Sequence, residues 1–511
     1  MARLIKMLSS RLMVWAILML AQVGWFVSLV LYFNKTFPFA GVLVQIAAVL
    51  IVLIIVNKET NPSFKLAWSV LILGIPILGI TMYYLFGRTE ITKTNRRRIA
   101  IMHEKSVKFL SDNEDVMGRI SARSRGAGKQ SDYIRKWSDF PPYDNYGLTY
   151  YMSGDDTLKP ILDAIDGAKE YIFLEFFIIE EGVFLNSILK ALQKKALEGI
   201  EVRMMYDDFG SATKVPLYYD KVIEGMGIQC IRFNPLRPFL SVVMNNRDHR
   251  KMIIVDGKIA FTGGFNLADE YINQQERFGY WKDNGLRIEG PAVSNFVAMF
   301  MEMWQYSTRE KEDESPYFAT FKEGEFVKQP GYIQPYADSP LDREKVGETV
   351  YLNIINRAKD YIYIFTPYLI IDNEMMTALC NAAKQGVDVR IVTPGIPDKK
   401  LVFLMTQSYY VTLLEAGVRI YEFRPGFIHA KTFVCDDVIA TVGTINLDYR
   451  SLYMHFECGV WIHRANEISQ IKEDALNTFS ISEEITYEKE INRNWLIKTI
   501  QGVLRLLAPI F

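Results

Sequence analysis

The sequence predicts an α/β protein: two duplicated lobes, each a mixed sheet flanked by helices, preceded by N-terminal transmembrane helices. Three observations predict it. A five-position motif occurs twice in the same order, the segments around its copies align as an internal duplication, and three apolar runs without Asp, Glu, Lys or Arg stand ahead of both. At 511 residues the chain exceeds one ordinary domain, and its length suggests about three units. We divide it into a membrane region (1–88), a basic linker (89–140), a first lobe (141–330), a second lobe (331–485) and a C-terminal amphipathic tail (486–511).

The apolar runs cover residues 12–33, 37–56 and 66–86. Each is about the twenty residues needed to cross hydrocarbon. The first has no clear small-residue cleavage site and two further runs follow it, so a retained segment is favoured over a cleaved signal peptide. Arg3, Lys6 and Arg11 argue for a cytoplasmic N-terminus, and Arg88, Lys93, Arg96, Arg97 and Arg98 place the chain after the third run on the same side. Three crossings do not satisfy both. The denser downstream cluster takes precedence, which leaves the first run re-entrant, interfacial or spanning from an external N-terminus, and makes the next two a hairpin. The expected location is a bacterial cell membrane, multi-pass, with the lobes on the cytoplasmic side.

From residue 88 to about 136 there is no sustained apolar period, and basic residues recur. A solvated linker and a contact with anionic headgroups are equally good readings. Beyond Tyr143 the duplication begins. Ala168-Lys169-Glu170-Tyr171-Ile172 echoes Ala358-Lys359-Asp360-Tyr361-Ile362, Gly199 echoes Gly386, and Gly227 with Phe233 and Pro235 echoes Gly417 with Phe423 and Pro425. Helical stretches alternate with these strands, as two α/β lobes require. The tail spaces Leu496, Ile497, Ile500, Val503, Leu504 and Leu507 as a helix does. Docking on the body is slightly preferred to lying in a membrane interface.

The motif is His249, Lys251, Asp256, Gly263 and Asn266, then His429, Lys431, Asp436, Gly443 and Asn446. β-branched and aromatic residues between His and Asp favour a strand, on which residues i and i+2 share a face. His and Lys then project together, one titrating near neutrality and the other a compact cation for a phosphate oxygen. Asp256-Gly257 signals a hairpin, and Asp436-Asp437 does so more weakly, so each Asp belongs at a strand end, bracing its neighbours. A single His-x-Lys on a strand is usually surface decoration; two copies sharing three further offsets are not.

Aligning the halves also sets Asp283 over Glu457, each opening a late strand. We read each as accepting the second ring N–H of a motif His, fixing its tautomer as a triad acid does, with Asp269 and Glu270 as competitors. A net charge of −1 argues against a nucleic-acid partner, whose binding rests on basic residues. Cys230, Cys380, Cys435 and Cys458 form no Cys-x-x-Cys pair, so neither a zinc cage nor a disulfide framework is expected.

The paired motifs resemble the double His-Lys-Asp signature of the phospholipase D superfamily and, within it, the bacterial cardiolipin synthases. Further resemblance lies in Asn61-Pro62-Ser63, Ile75-Pro76-Ile77-Leu78-Gly79, Leu174-Glu175-Phe176-Phe177-Ile178, Tyr206-Asp207-Asp208-Phe209-Gly210-Ser211 and Thr366-Pro367-Tyr368. It implies transfer of a phosphatidyl group between two phosphatidylglycerol molecules, giving cardiolipin and glycerol, with anionic membrane lipid as partner and no cofactor or metal. By analogy His249 is the nucleophile and His429 the general acid, then base, with exchanged roles open. Lys251 and Lys431 with Asn266 and Asn446 hold the phosphate oxygens, and Asp256 and Asp436 complete the catalytic sets. Thr444 is expected to donate to phosphate, and Phe209, Phe239, Phe265 and Phe427 either exclude water or are plain core. His455 stands where the family commonly has Asn. A hydrolytic phospholipase D, a membrane-anchored nuclease and a non-enzymatic lipid-binding scaffold are the alternatives.

Overall fold

The computed structural model describes residues 21, 24, 25, 28, 32, 38–87, 93–236, 245–322, 324–342 and 344–510. The first apolar run, 12–33, lies outside the described residues apart from five isolated positions. The second forms helix α1 (Pro38–Val56). The third differs from expectation. Gly74-Ile75-Pro76 breaks it into α2 (Pro62–Gly74) and α3 (Pro76–Met82), followed by a π-helical turn, Tyr83–Gly87. Pro76 cannot donate a backbone hydrogen bond and disfavours helical geometry at the residue before it. The two helices fold against each other so closely that a Cβ on Gly79 would lie 2.5 Å from the Ile72 Cα. Among the described residues, no helix is long and apolar enough to cross a membrane.

The expected linker is instead three docked helices, α4 (Lys93–Val107), α5 (Glu114–Arg123) and α6 (Arg125–Ser138). Arg119 pairs with Asp144, Ser131 donates to Gln334, and Gln130 reaches the Val350 carbonyl, so both lobes hold it. Ser124 caps α6 by accepting from the Ala127 N–H.

Each lobe is built on the same sheet. In the first, β1 (Leu148–Tyr151), β2 (Tyr171–Phe176), β3 (Glu201–Asp207), β4 (Gln229–Phe233), β5 (Met252–Val255), β6 (Ile259–Gly263) and β7 (Gly285–Glu289) assemble in the order β1-β7-β6-β5-β2-β3-β4. In the second, β8 (Gln329–Asp338), β9 (Tyr361–Phe365), β10 (Asp388–Pro394), β11 (Arg419–Phe423), β12 (Thr432–Cys435), β13 (Ile439–Gly443) and β14 (His455–His463) repeat it as β8-β14-β13-β12-β9-β10-β11, extended by edge strands Tyr143–Asn145 and Glu483–Ile485. β2, β3 and β4 run parallel, as do β9, β10 and β11, while β5 and β12 pair antiparallel to β2 and β9. The sheets are therefore mixed, and the motif strand lies at the switch in each.

Between the sheets runs α7 (Val293–Thr308), buried from Val293 to Gln305 except Ser294, and part of one apolar core that reaches into both lobes. At the far end of the chain α8 (Trp495–Leu507) packs on α2 and keeps Trp495, Leu496, Ile497, Ile500 and Val503 exposed. It docks on the body and also presents an apolar face. Asn61 ties the leader to the second lobe, donating to Asp372 and Tyr453 at 2.8 Å.

Candidate active site

Each motif strand is buried on both faces and ends in a tight hairpin. Asp256 and Gly257 have φ of 54° and 62°, Asp436 and Asp437 of 52° and 56°, so the Asp-Asp turn takes the same left-handed pair as Asp-Gly. The motif Asp residues do not meet the imidazoles. Asp256 accepts from the backbone N–H groups of Lys169, Glu170 and Tyr171 at 2.8–3.0 Å. Asp436 accepts from Lys359, Asp360 and Tyr361 at 2.8–2.9 Å. Seven steps along the chain, roughly 23 Å if extended, separate each from its His. These carboxylates lock the starts of β2 and β9, which is why the sequence around Tyr171 echoes that around Tyr361.

The two His residues enter the centre by crossing between lobes. A short strand before His249, Arg247–Asp248, pairs in parallel with His455 and Phe456 of the second lobe. Gly426–Ile428, just before His429, pairs in parallel with Tyr280–Lys282 of the first. His249 N–H then donates to the Phe456 carbonyl at 2.9 Å, and His429 N–H to that of Lys282 at 2.7 Å. The next residue on each partner segment is Glu457 or Asp283. Nδ1 of His249 accordingly lies 2.9 and 3.0 Å from the Glu457 carboxylate oxygens, and Nδ1 of His429 lies 2.7 Å from Asp283 Oδ2. Both carboxylates are fully buried. The competitors are occupied elsewhere: Asp269 accepts from the N–H groups of Val183 and Phe184, and Glu270 pairs with Lys214 and Arg277.

With Nδ1 engaged, each ring's Nε2 is the nitrogen left for substrate. Lys251 donates to the His249 carbonyl at 2.6 Å, Lys431 donates to that of His429, and both ammonium groups are buried. Burial, with the neighbouring cationic Lys251, pushes His249 well below its ordinary value; burial and Lys431 push His429 down to about 4 against the pull of Asp283. Burial lowers Lys251 to about 8 and Lys431 to about 7, Glu457 and Asp283 respectively opposing it. Lys431 and His429 act on His249, and Lys251 acts on His429 and Lys431, so the half-sites share one field. The carboxylates differ. Burial raises Glu457 to about 8, whereas His429 holds Asp283 below the usual range despite burial.

The supporting residues divide. Thr444 does not point its hydroxyl at a ligand; it donates to Glu457 Oε2 and, at 3.1 Å, contacts the Cys458 carbonyl. Its counterpart Gly264 has no room for a side chain, since a Cβ there would lie 2.1 Å from Asp283 Oδ1. Asn266 is committed as a brace, accepting from Ile178 N–H at 3.0 Å and donating to Tyr271 at 2.8 Å. Asn446 is buried with an unpartnered Oδ1. Phe265 packs into the core against Phe176 and Phe184, Phe427 lies 6.0 Å from the His429 ring, Phe209 is exposed beneath Arg247, and Phe239 lies outside the described residues.

Sequence reasoning missed the ring walls. His455 lies 5.5 Å from His249 at 43°, and Trp281 lies 5.5 Å from His429 at 42°. Both occupy the position two residues before the carboxylate, a correspondence that the alignment of halves already contained. Phe177 and Tyr271 complete the walls edge-on, at 5.0 and 5.3 Å. His249, His455 and Glu457 form a set dense enough to hold a metal ion, but the short Nδ1 contact to Glu457 already accounts for two of them. Arg250, fully buried, anchors the first segment by donating to the carbonyls of Glu457 and Met299.

Two lobes of like topology, each supplying a His, a Lys and the other lobe's carboxylate, define a duplicated phospholipase D-like centre. Sequence comparison gives the family. The description "Cardiolipin synthase, PLD-like domain" matches residues 161–304 and 351–478, and "Phospholipase_D-nuclease N-terminal" matches 46–88. A cardiolipin synthase of Alkalihalophilus pseudofirmus is 31% identical over 473 residues, 92% of this chain and 93% of its own length; that of Geobacillus kaustophilus is 32% identical over 485, covering 93% and 95%. An uncharacterized protein of Streptococcus mutans is 42% identical over 460 residues, covering 90% and 99%. The phosphatidylserine synthase of Haemophilus influenzae shares the fold, with a TM-score of 0.56 over 75% of this chain and 100% of its own at 14% identity. The chain belongs to the cardiolipin synthase family of phospholipase D-like proteins and is a phosphatidyltransferase.

Proposed function

We propose that the protein transfers a phosphatidyl group from one phosphatidylglycerol to the free glycerol hydroxyl of a second, producing cardiolipin and glycerol. The crossed pairing of each His with the opposite lobe's carboxylate carries the reading, because it turns Nδ1 of each ring to a carboxylate and leaves both Nε2 atoms for one phosphorus. Neutral His249 attacks phosphorus through Nε2 while the bond to the departing glycerol oxygen breaks, and His429, which takes up a proton from solvent as the phosphate anion binds, passes that proton to the oxygen from Nε2. Neutral His429 then takes the proton of the incoming hydroxyl, which attacks phosphorus as the P–N bond breaks. Lys251 and Lys431 neutralise the equatorial oxygens.

The electrostatic asymmetry supports this order of roles. Burial and the cationic Lys251 keep His249 in the neutral form that must attack. Asp283 stays anionic beside His429, which favours its cationic form once a phosphate anion arrives. The ring walls of Phe177, His455, Trp281 and Tyr271 keep water from the phosphoenzyme and so favour alcohol over hydrolysis. We place the lobes on the cytoplasmic face of the membrane by the basic residues 88–98, with α1 and the exposed apolar faces of α2 and α8 against lipid.

The test is turnover of phosphatidylglycerol vesicles by the reconstituted full chain, with lipids and glycerol quantified by mass spectrometry. Cardiolipin and glycerol in equal amounts are expected, and neither from His249→Ala or His429→Ala. Phosphatidic acid without cardiolipin would replace this reading with a hydrolytic one. An acid-labile phosphate trapped on His429 would exchange the two roles.

A further inference from the structure

We propose that the cleft between the start of α4 and the chain leaving α7 is a second, non-catalytic site for the phosphodiester headgroup of an anionic phospholipid. It is a cavity of about 480 Å³, within the range of small-molecule sites. Arg97, Arg98, Arg309 and Lys311 line it against one carboxylate, Glu310. Arg98 is tied down, donating to the carbonyls of Gln305 and Tyr306 and lying 5.0 Å above the Tyr306 ring, so it closes the C-terminus of α7. Arg97, Arg309 and Lys311 are exposed and have no carboxylate partner among the described residues. Of the acids further along the same segment, Glu312 clasps Arg203, Glu314 pairs with Lys105 and Glu325 with Lys258, while Asp313 accepts from Ser315 and does not line the cleft. Burial and, after it, the neighbouring Arg309 hold Arg98 below its ordinary value against the opposing Tyr306.

Position and shape favour a lipid over a soluble phosphate. Only five residues join Gly87, where the apolar leader ends, to Lys93 at the start of α4, a reach of at most about 20 Å. Ile101 lines the cleft one helical turn beyond Arg97 and is 46% exposed, giving the cations an apolar shoulder suited to the glycerol and first acyl carbons of a phospholipid.

The experiment uses the full-length chain in neutral detergent, with His249→Ala added to stop turnover, and counts phosphatidylglycerol adducts by native mass spectrometry. Two adducts are expected. Adding Arg97→Ala, Arg309→Ala and Lys311→Ala removes one, its affinity falling about fivefold per charge, or roughly a hundredfold in all. With His249 intact, the same three substitutions leave turnover of short-chain phosphatidylglycerol in neutral micelles unchanged, so the cleft and the catalytic reading fail separately. A control variant, Lys190→Ala with Lys359→Ala and Lys384→Ala, keeps both adducts. No loss in the cleft variant, or equal loss in the control, overturns the proposal. Displacement of the second lipid by equimolar glycerol 3-phosphate would assign the cleft to a soluble phosphate instead.

Discussion

Asp283→Asn and Glu457→Gln are the same change at the two crossed carboxylates, yet the structure gives them different consequences. Asp283 Oδ2 contacts His429 Nδ1 at 2.7 Å while Oδ1 accepts from Asn284 N–H at 2.9 Å. An amide has one accepting oxygen, so Asn at 283 turns its NH2 against one of two N–H donors. Glu457 faces His249 on one side and the Thr444 hydroxyl on the other. A hydroxyl accepts as readily as it donates, so Gln satisfies both by reversing one hydrogen bond. Glu457, raised to about 8, is largely neutral near pH 7, so Glu457→Gln keeps both charge and hydrogen bonds and loses only the ability to ionise, whereas Asp283→Asn loses a standing charge and the tautomer. We expect kcat to fall about 10⁴-fold for Asp283→Asn, the scale of a triad Asp→Asn change, and about 10²-fold for Glu457→Gln, the lower end of a general acid–base contribution. Initial rates of cardiolipin formation in mixed micelles, normalised to folded protein, measure both. An equal or larger loss in Glu457→Gln would refute the reasoning and with it the assignment of His429 as the acid.

His103 on α4 contacts Asp139 and Glu302 at 3.0 Å each; burial opposes its charge, but the two carboxylates raise its value from 6.5 to about 10. Its stabilising effect is complete below pH 6.5 and lost as pH rises through about 10. His103→Gln should lower stability by about 2–3 kcal/mol at pH 7 and by almost nothing above pH 11, read from denaturation midpoints. Asp256→Ala removes the acceptor of three backbone N–H groups and should cost about 1–3 kcal/mol of stability with kcat per folded molecule within about twofold of wild type; a loss in kcat without loss of stability would restore it to the catalytic set. Gly264→Ala drives a methyl group onto the Asp283 carboxylate and should abolish turnover, while Thr444→Gly leaves space and retains it, both checked by the same product assay.

The duplication was legible because the half-sites use the same residues at the same offsets, and one alignment of halves supplied the motif pairs and both carboxylates. The crossing was not. Which carboxylate serves which His depends on the parallel pairing of Arg247–Asp248 with His455–Phe456 and of Gly426–Ile428 with Tyr280–Lys282, contacts between segments more than 140 residues apart. Asp256 and Asp436 looked catalytic only through their company, though the hairpin signal had placed them at strand ends, where they are. Thr444 and Asn266 carry the polarity of phosphate ligands, but their atoms are spent on Glu457, Ile178 and Tyr271. The third apolar run had the length of a span, and Pro76 held the reason it is broken. The basic stretch after residue 88 had no period strong enough to show that it packs as helices.

Neither half of this chain owns a complete chemical group. A lone first lobe would carry His249 with no acid behind it and Asp283 with nothing to orient; a lone second lobe would be disarmed in the mirror sense. Competence arises only when both have folded and exchanged their short strands, so an unfinished molecule among bilayer lipids holds no working scissors.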